Sequence, residues 1–101
     1  DAFSPTDLVG TALGTCLVTI MGITAKQNNW DITGTKVHVC KEMVADPKRR
    51  IGSLTVSITL PKGSQLSPAD RQTLENAAIV CPVKQSLHPD TQVKIDFHYP
   101  D

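Results

Sequence analysis

The longest apolar feature of the chain comes first. From Leu8 to Ala25 there are eighteen residues without a charge, and they are preceded by Ser4, Pro5 and Asp7. A serine N-cap, a proline at the first helical position and an acidic residue two places later are helix-start chemistry. The hydroxyl accepts an orphan amide, and proline has no amide to leave unpaired. The pattern predicts a helix from Pro5 that fades near Asn28 and Asn29. The period then changes to two. In "TKVHVCKEMVA", Val37, Val39 and Met43 alternate with Lys36, His38, Cys40 and Glu42, and in "IGSLTVSITL", Leu54, Val56, Ile58 and Leu60 alternate with Ser53, Thr55, Ser57 and Thr59. With the polar, proline-containing "DPKRR" between them, these two stretches predict a hairpin. A second helix opens as the first does, on Ser67, Pro68 and Asp70, with Leu66 as a hydrophobic staple and Leu74, Ala77 and Ala78 behind. Pro82 breaks or restarts it. The last strand, "TQVKIDFHY", puts Val93, Ile95, Phe97 and Tyr99 on one face and Lys94, Asp96 and His98 on the other. The expected fold class is α+β, an antiparallel sheet with one exposed face, packed on a long buried helix and a second, kinked helix.

The first helix is long enough for a bilayer, and Gly10 with Gly14 forms a GxxxG pair. Four threonines, three glycines, no aromatic belt and a soluble-type remainder argue against a span. No basic segment precedes the run and no cleavage-like exit follows it, so a signal peptide is not read either. An uncharged helix needs cover on every side, and the core of one small domain hardly supplies it. A second copy of the chain is the natural cover, which makes a homodimer the first inference about assembly.

Composition alters this picture only at the margins. The 101 residues, 40% hydrophobic with ten basic and ten acidic side chains, fit one globular domain. Zero net charge provides no footprint for phosphates, so a nucleic-acid partner is not expected, and neither is a membrane. Lys48, Arg49 and Arg50 read as a hairpin tip.

The candidate chemistry lies in three cysteines, an odd number without zinc-type spacing or the density of a secreted disulfide scaffold. A reducing, cytoplasmic setting follows. Cys16 sits in the row Leu8, Ala12, Cys16, Ile20, where a small apolar core residue is the plain reading. Cys81 precedes Pro82 where the helix must restart, and the amides of that restart are expected to lower the pKa of a nearby thiol. Cys40 shares a strand face with His38, and a metal site with His98 would lack further ligands, so no metal is expected. On these residues alone, the roles of Cys16 and Cys81 stay open.

"SPTDLVGTALGTC", followed about sixty-five residues later by "CPVKQSLHPDTQVKIDFHY", resembles the OsmC-like proteins, the family of osmotically inducible protein C and the organic hydroperoxide resistance proteins. The middle, "KVHVCKEMVADPKRRIGSLTVSITLP", looks like a branch of that family whose members are mostly uncharacterised. The resemblance covers essentially the whole chain, 1–101, read as a single OsmC-like domain without the N-terminal strands that family members carry ahead of this segment. It implies an intertwined homodimer with the long helices at its centre. It also implies a thiol peroxidase in which Cys16 is the peroxidatic residue and Cys81 the resolving one. Cys16 would reduce an organic hydroperoxide through a sulfenic acid, and Cys81 would convert that acid to a disulfide. Leu13, Leu17 and Met21, with residues of a partner chain, would form a dry substrate pocket. No metal or organic cofactor is needed, and a dithiol such as a lipoyl group would recycle the pair in defence against oxidative and osmotic stress.

One departure bears on the site. Where the hydroperoxide-resistance branch has a glutamate that pairs with an arginine from the N-terminal strands, this chain has Thr6, with Asp7 beside it. Both are candidate orienting residues. Ten helical residues rise about 15 Å, so neither reaches Cys16 along one straight helix, and a partner chain or a bend would have to deliver it. The alternative function is a non-catalytic dimer of the same fold that binds a small hydrophobic ligand or senses redox state. A structural dimer with cysteines as filler is the third reading.

Overall fold

The computed structural model describes residues 4–100. The element order is α1 (Pro5–Gln27), β1 (Lys36–Val44), β2 (Arg50–Thr59), α2 (Pro68–Ile79), α3 (Pro82–Gln85) and β3 (Gln92–His98). This is the mixed α+β arrangement that the periodicity predicts.

The caps explain where the helices start and stop. Ser4 Oγ accepts the Asp7 amide at 3.1 Å, with Pro5 opening the helix. At the other end, Trp30 N–H donates to Ala25 O at 2.8 Å and Asn29 N–H to Lys26 O at 3.2 Å, with Asn29 at φ 61°. This is a Schellman ending in which asparagine occupies the left-handed position that glycine usually fills. At α2, the Ser67 hydroxyl accepts the Asp70 amide and the Asp70 carboxylate accepts the Ser67 amide, which completes a capping box.

The sheet order is β1-β2-β3. β1 and β2 are antiparallel, as the hairpin requires, and the register places Val37 opposite Ile58 and Val39 opposite Val56. The register shifts between Glu42 and Met43, whose partners are Ser53 and Ile51, so Gly52 is the extra residue of a bulge. A Cβ there would lie 2.5 Å from Val44 Cγ1. β3 runs parallel to β2, with Leu54 opposite Val93 and Val56 opposite Ile95. The sheet is therefore mixed, which corrects the expectation of a wholly antiparallel one. The reason lies in the connection: α2 and α3 carry the chain back to the end of the sheet where β2 began, and a crossover containing helices delivers a parallel strand.

The core lies between the sheet and the helices. Leu13, Leu17, Met21, Leu54, Val56, Ile58, Leu60, Leu74, Ala78 and Cys81 are almost fully buried. α1 presents Gly10, Leu13, Gly14, Leu17, Met21 and Ala25 to this core. A Cβ on Gly14 would stand 3.0 Å from Val39 Cγ2 and 3.2 Å from Val37 Cγ2. Within this chain, then, the GxxxG pair lets α1 approach β1 closely. The opposite face of α1, with Leu8, Ala12, Thr15, Thr19 and Ile23, is uncharged and exposed, Leu8 at 50% and Ile23 at 55%. One chain thus covers only one side of α1, whose length and composition would also suit a membrane span.

Candidate active site

Two elements distant in sequence bring Cys16 and Cys81 together. α1 places Cys16 on the flank of its buried stripe, half-buried, where the helix meets α2 and α3. Cys81 stands at the break between α2 and α3, as N-cap of the short helix that Pro82 begins. Proline has no amide to continue α2 and its ring fixes the turn, so the residue before it is forced into extended backbone, here φ −55° and ψ 128°. That turn aims the Cys81 side chain inward, where it is fully buried. The two sulfurs lie 2.6 Å apart across 65 residues, and both thiols are free.

Cys81 Sγ also accepts the backbone N–H of Lys84 at 3.5 Å. The expectation that restart amides would lower the Cys81 pKa is corrected here. Burial pushes the thiol up, the hydrogen bond to Cys16 adds to that, and the amides of Lys84 and Val83 offset only part of it. Cys81 is held as a neutral thiol against the Cys16 sulfur.

Leu13, Leu17 and Met21 are each fully enclosed in this chain's own core. They lie on the side of α1 facing the core, whereas Cys16 stands on its flank. The side open to solvent around Cys16 is formed instead by the exposed stripe of α1.

Thr6 and Asp7 lie at the far end of α1 from Cys16 and are held by a residue that the sequence reading passed over. Lys41 Nζ donates to Thr6 Oγ1 at 2.8 Å and pairs with Asp7 Oδ1 at 2.7 Å. The hydrogen bond from Lys41, with a smaller one from Ser4, holds the Asp7 carboxyl below the usual carboxylate range. The Asp7 carboxylate thus turns to Lys41, and α1 keeps only the serine half of a capping box. The signal for Lys41 was available: in a period of two it falls on the Val37, Val39, Met43 face, so its ammonium points toward the helix. Asp7, Gly10, Thr11, Val39 and Lys41 line a cavity of about 210 Å³ at this end.

Cys40 is exposed on the outer sheet face, 3.9 Å from His38 Nε2. His38 is in register with Ser57 and Asp96, whereas His98 is in register with Thr59 and Lys36. Among the described residues, no group of three or more histidine, cysteine, aspartate or glutamate side chains could hold a metal ion.

No curated protein matches the sequence. Among solved structures, a protein of Psychrobacter arcticus 273-4 named for osmotic stress and detoxification responses is 42% identical, with a TM-score of 0.88 over 97% of this chain and 69% of its own. An organic hydroperoxide resistance protein OsmC of Legionella pneumophila superposes with a TM-score of 0.77 at 15% identity, over 96% of this chain and 70% of its own. The organic hydroperoxide resistance protein OhrB of Bacillus subtilis does so at 0.72 and 20%, over 96% and 71%. The last two establish likeness of fold. The family model described as OsmC-like protein matches residues 1–96. With a 42% identical neighbour of the same fold and the Cys16 and Cys81 sulfurs side by side, the chain belongs to the OsmC-like protein family.

Proposed function

We propose that this protein is a thiol-dependent peroxidase for organic hydroperoxides, with Cys16 as the peroxidatic and Cys81 as the resolving residue. The observation that carries the reading is the 2.6 Å separation of two free sulfurs from opposite parts of the chain, one half-buried and one fully enclosed. In the first step the Cys16 thiolate attacks one peroxide oxygen. The O–O bond breaks, the alkoxide leaves with the electron pair and is protonated to the alcohol, and Cys16 becomes a sulfenic acid. In the second step the Cys81 sulfur attacks Cys16, the S–O bond breaks, and the hydroxyl leaves as water with the Cys81 proton. A dithiol of the lipoyl type reduces the disulfide and restores both thiols. The family relationship and the naming of structural neighbours as organic hydroperoxide resistance proteins support the substrate class.

The working form is a cytoplasmic homodimer. The uncharged, exposed face of α1 supports this, because a second copy laid against it would bury Leu8 and Ile23 and enclose the open side of Cys16. The dry setting favours apolar peroxides over hydrogen peroxide. The test is turnover of cumene hydroperoxide with a dithiol reductant. Cys16→Ser is expected to abolish turnover, and Cys40→Ser to leave it within about twofold of the unmodified protein, because Cys40 is on the outer sheet face. A fully active Cys16→Ser protein would sink the proposal.

A further inference from the structure

We infer that Cys16 and Cys81 together form a binding site for trivalent arsenic, taken as a monosubstituted arsenical whose single carbon substituent is apolar. This goes beyond the peroxidase reading, because it uses the same two sulfurs but none of the peroxide chemistry.

The donor set points to the ligand. Two free sulfurs, 65 residues apart in sequence, lie side by side with 2.6 Å between them, so one soft centre can take both without rearranging the fold. Thiolate sulfur selects soft centres. Among the described residues, no group of three or more histidine, cysteine, aspartate or glutamate side chains could hold a metal ion. Zinc, which takes four ligands, is therefore poorly served. The third cysteine does not help, because Cys40 is exposed on the outer sheet face beside His38. Mercury(II) places two thiolates on opposite sides of the ion, which adjacent sulfurs do not match. Trivalent arsenic is pyramidal and holds two sulfurs on one side of the atom. In a monosubstituted arsenical carbon already occupies the third position, so a pair of sulfurs without a third donor completes the coordination.

The surroundings fit the same ligand. Cys81 is fully buried at the turn that Pro82 fixes, while Cys16 is half-buried on the flank of α1. Cys16 therefore provides the entry and the small shift that opens the pair to the arsenic bite. Its neighbours one helical turn away, Ala12 and Ile20, are apolar, and no charge occurs on α1 between Leu8 and Ala25. An apolar substituent has a place to lie there. Binding is a condensation and not a redox step. Two As–O bonds of the arsenous acid form break and two As–S bonds form, each thiol proton leaves with a hydroxyl as water, and arsenic stays trivalent.

The probe is phenylarsine oxide, one equivalent added to the full chain after reduction with a phosphine, which leaves no competing dithiol. Intact mass is expected to show one adduct, with a phenylarsenic gained and two hydrogens lost. Peptide mapping of the unmodified protein is expected to find the Cys16 and Cys81 peptides joined through arsenic, a result that needs no variant to fold. Cys40→Ser should bind as the parent does. Cys16→Ser and Cys81→Ser should each weaken binding about a hundredfold or more, because the second As–S bond is intramolecular. No adduct at one equivalent, or arsenic held through Cys40, would overturn the site. Turnover of cumene hydroperoxide, measured in parallel, keeps the two readings apart. A bridged adduct on a protein that turns over no peroxide removes the peroxidase and leaves the arsenic site, and turnover by a protein that takes up no arsenic does the reverse.

Discussion

At the scale of single residues, chemistry is decided by what each polar group faces. Cys81 and Cys16 are both small sulfur side chains, yet one is enclosed at a proline-forced turn and the other lies on a helix flank. Tyr99 shows the same logic outside the site. Its hydroxyl donates to Glu75 Oε2 at 2.6 Å, and the Arg71 guanidinium lies 4.3 Å from its ring centroid, which ties β3's end to α2. Burial first, then the bond to Glu75, pushes the phenol far above its ordinary range. A group whose pKa is raised on folding contributes stability that is fully present below its unfolded value and is lost as pH rises. Unfolding free energy should therefore begin to fall above pH ~10, and Tyr99→Phe should flatten that alkaline decline. Urea melts of the two proteins between neutral pH and pH ~11 check this, and parallel curves would count against it. The sequence made Tyr99 legible as a core-face residue of the last strand. Its partner Glu75 was not, because nothing local says which helix a strand end will meet.

At the scale of elements, α1 is shaped by how closely β1 must approach it. Gly14 is buried beneath Val37 and Val39, and a Cβ there sits at 3.0 to 3.2 Å from their methyl groups. Alanine in a helix is intrinsically better than glycine by about 1 kcal/mol, but a branched side chain has no room. Gly14→Val is expected to destabilise the fold by about 1–3 kcal/mol, the usual cost of overpacking, and to shift the urea midpoint without changing the slope. A midpoint equal to the parent's would mean that the helix and strand separate freely. The same approach gives the glycine pair its place, which the sequence reading raised only as a feature of a membrane span that it set aside. Spacing shows that two small residues share a face, but the partner for that face is supplied by tertiary packing.

At the scale of the whole molecule, the unanswered face of α1 dominates. Five uncharged, exposed positions, from Leu8 to Ile23, lie opposite the core stripe. An uncovered apolar stripe of this kind marks an interaction surface. The expected outcome of sedimentation velocity is a dimer, and Leu8→Glu with Ile23→Glu should shift the boundary toward the monomer while circular dichroism keeps its helical signal. A protein that sediments as a monomer before any substitution would remove the dimer from the proposed function.

What the sequence determined by itself is what local rules control. Serine and proline caps, a period of two in the strands and the proline after Cys81 placed every helix and strand close to where it lies, because capping, proline geometry and side-chain alternation act within a few residues. Ser67 and Asp70 even named both halves of the α2 box. What only the tertiary structure decided is what depends on long-range closure. β3 joins β2 in parallel because α2 and α3 return the chain to the starting end of the sheet. Lys41 reaches the first turn of α1 because β1 crosses beneath it. The Cys81 thiol is raised because burial outweighs the amides that sequence alone made visible. The meeting of Cys16 and Cys81 belongs to the same class, since 65 residues separate them and only the packing of α1 against α2 and α3 brings the sulfurs together.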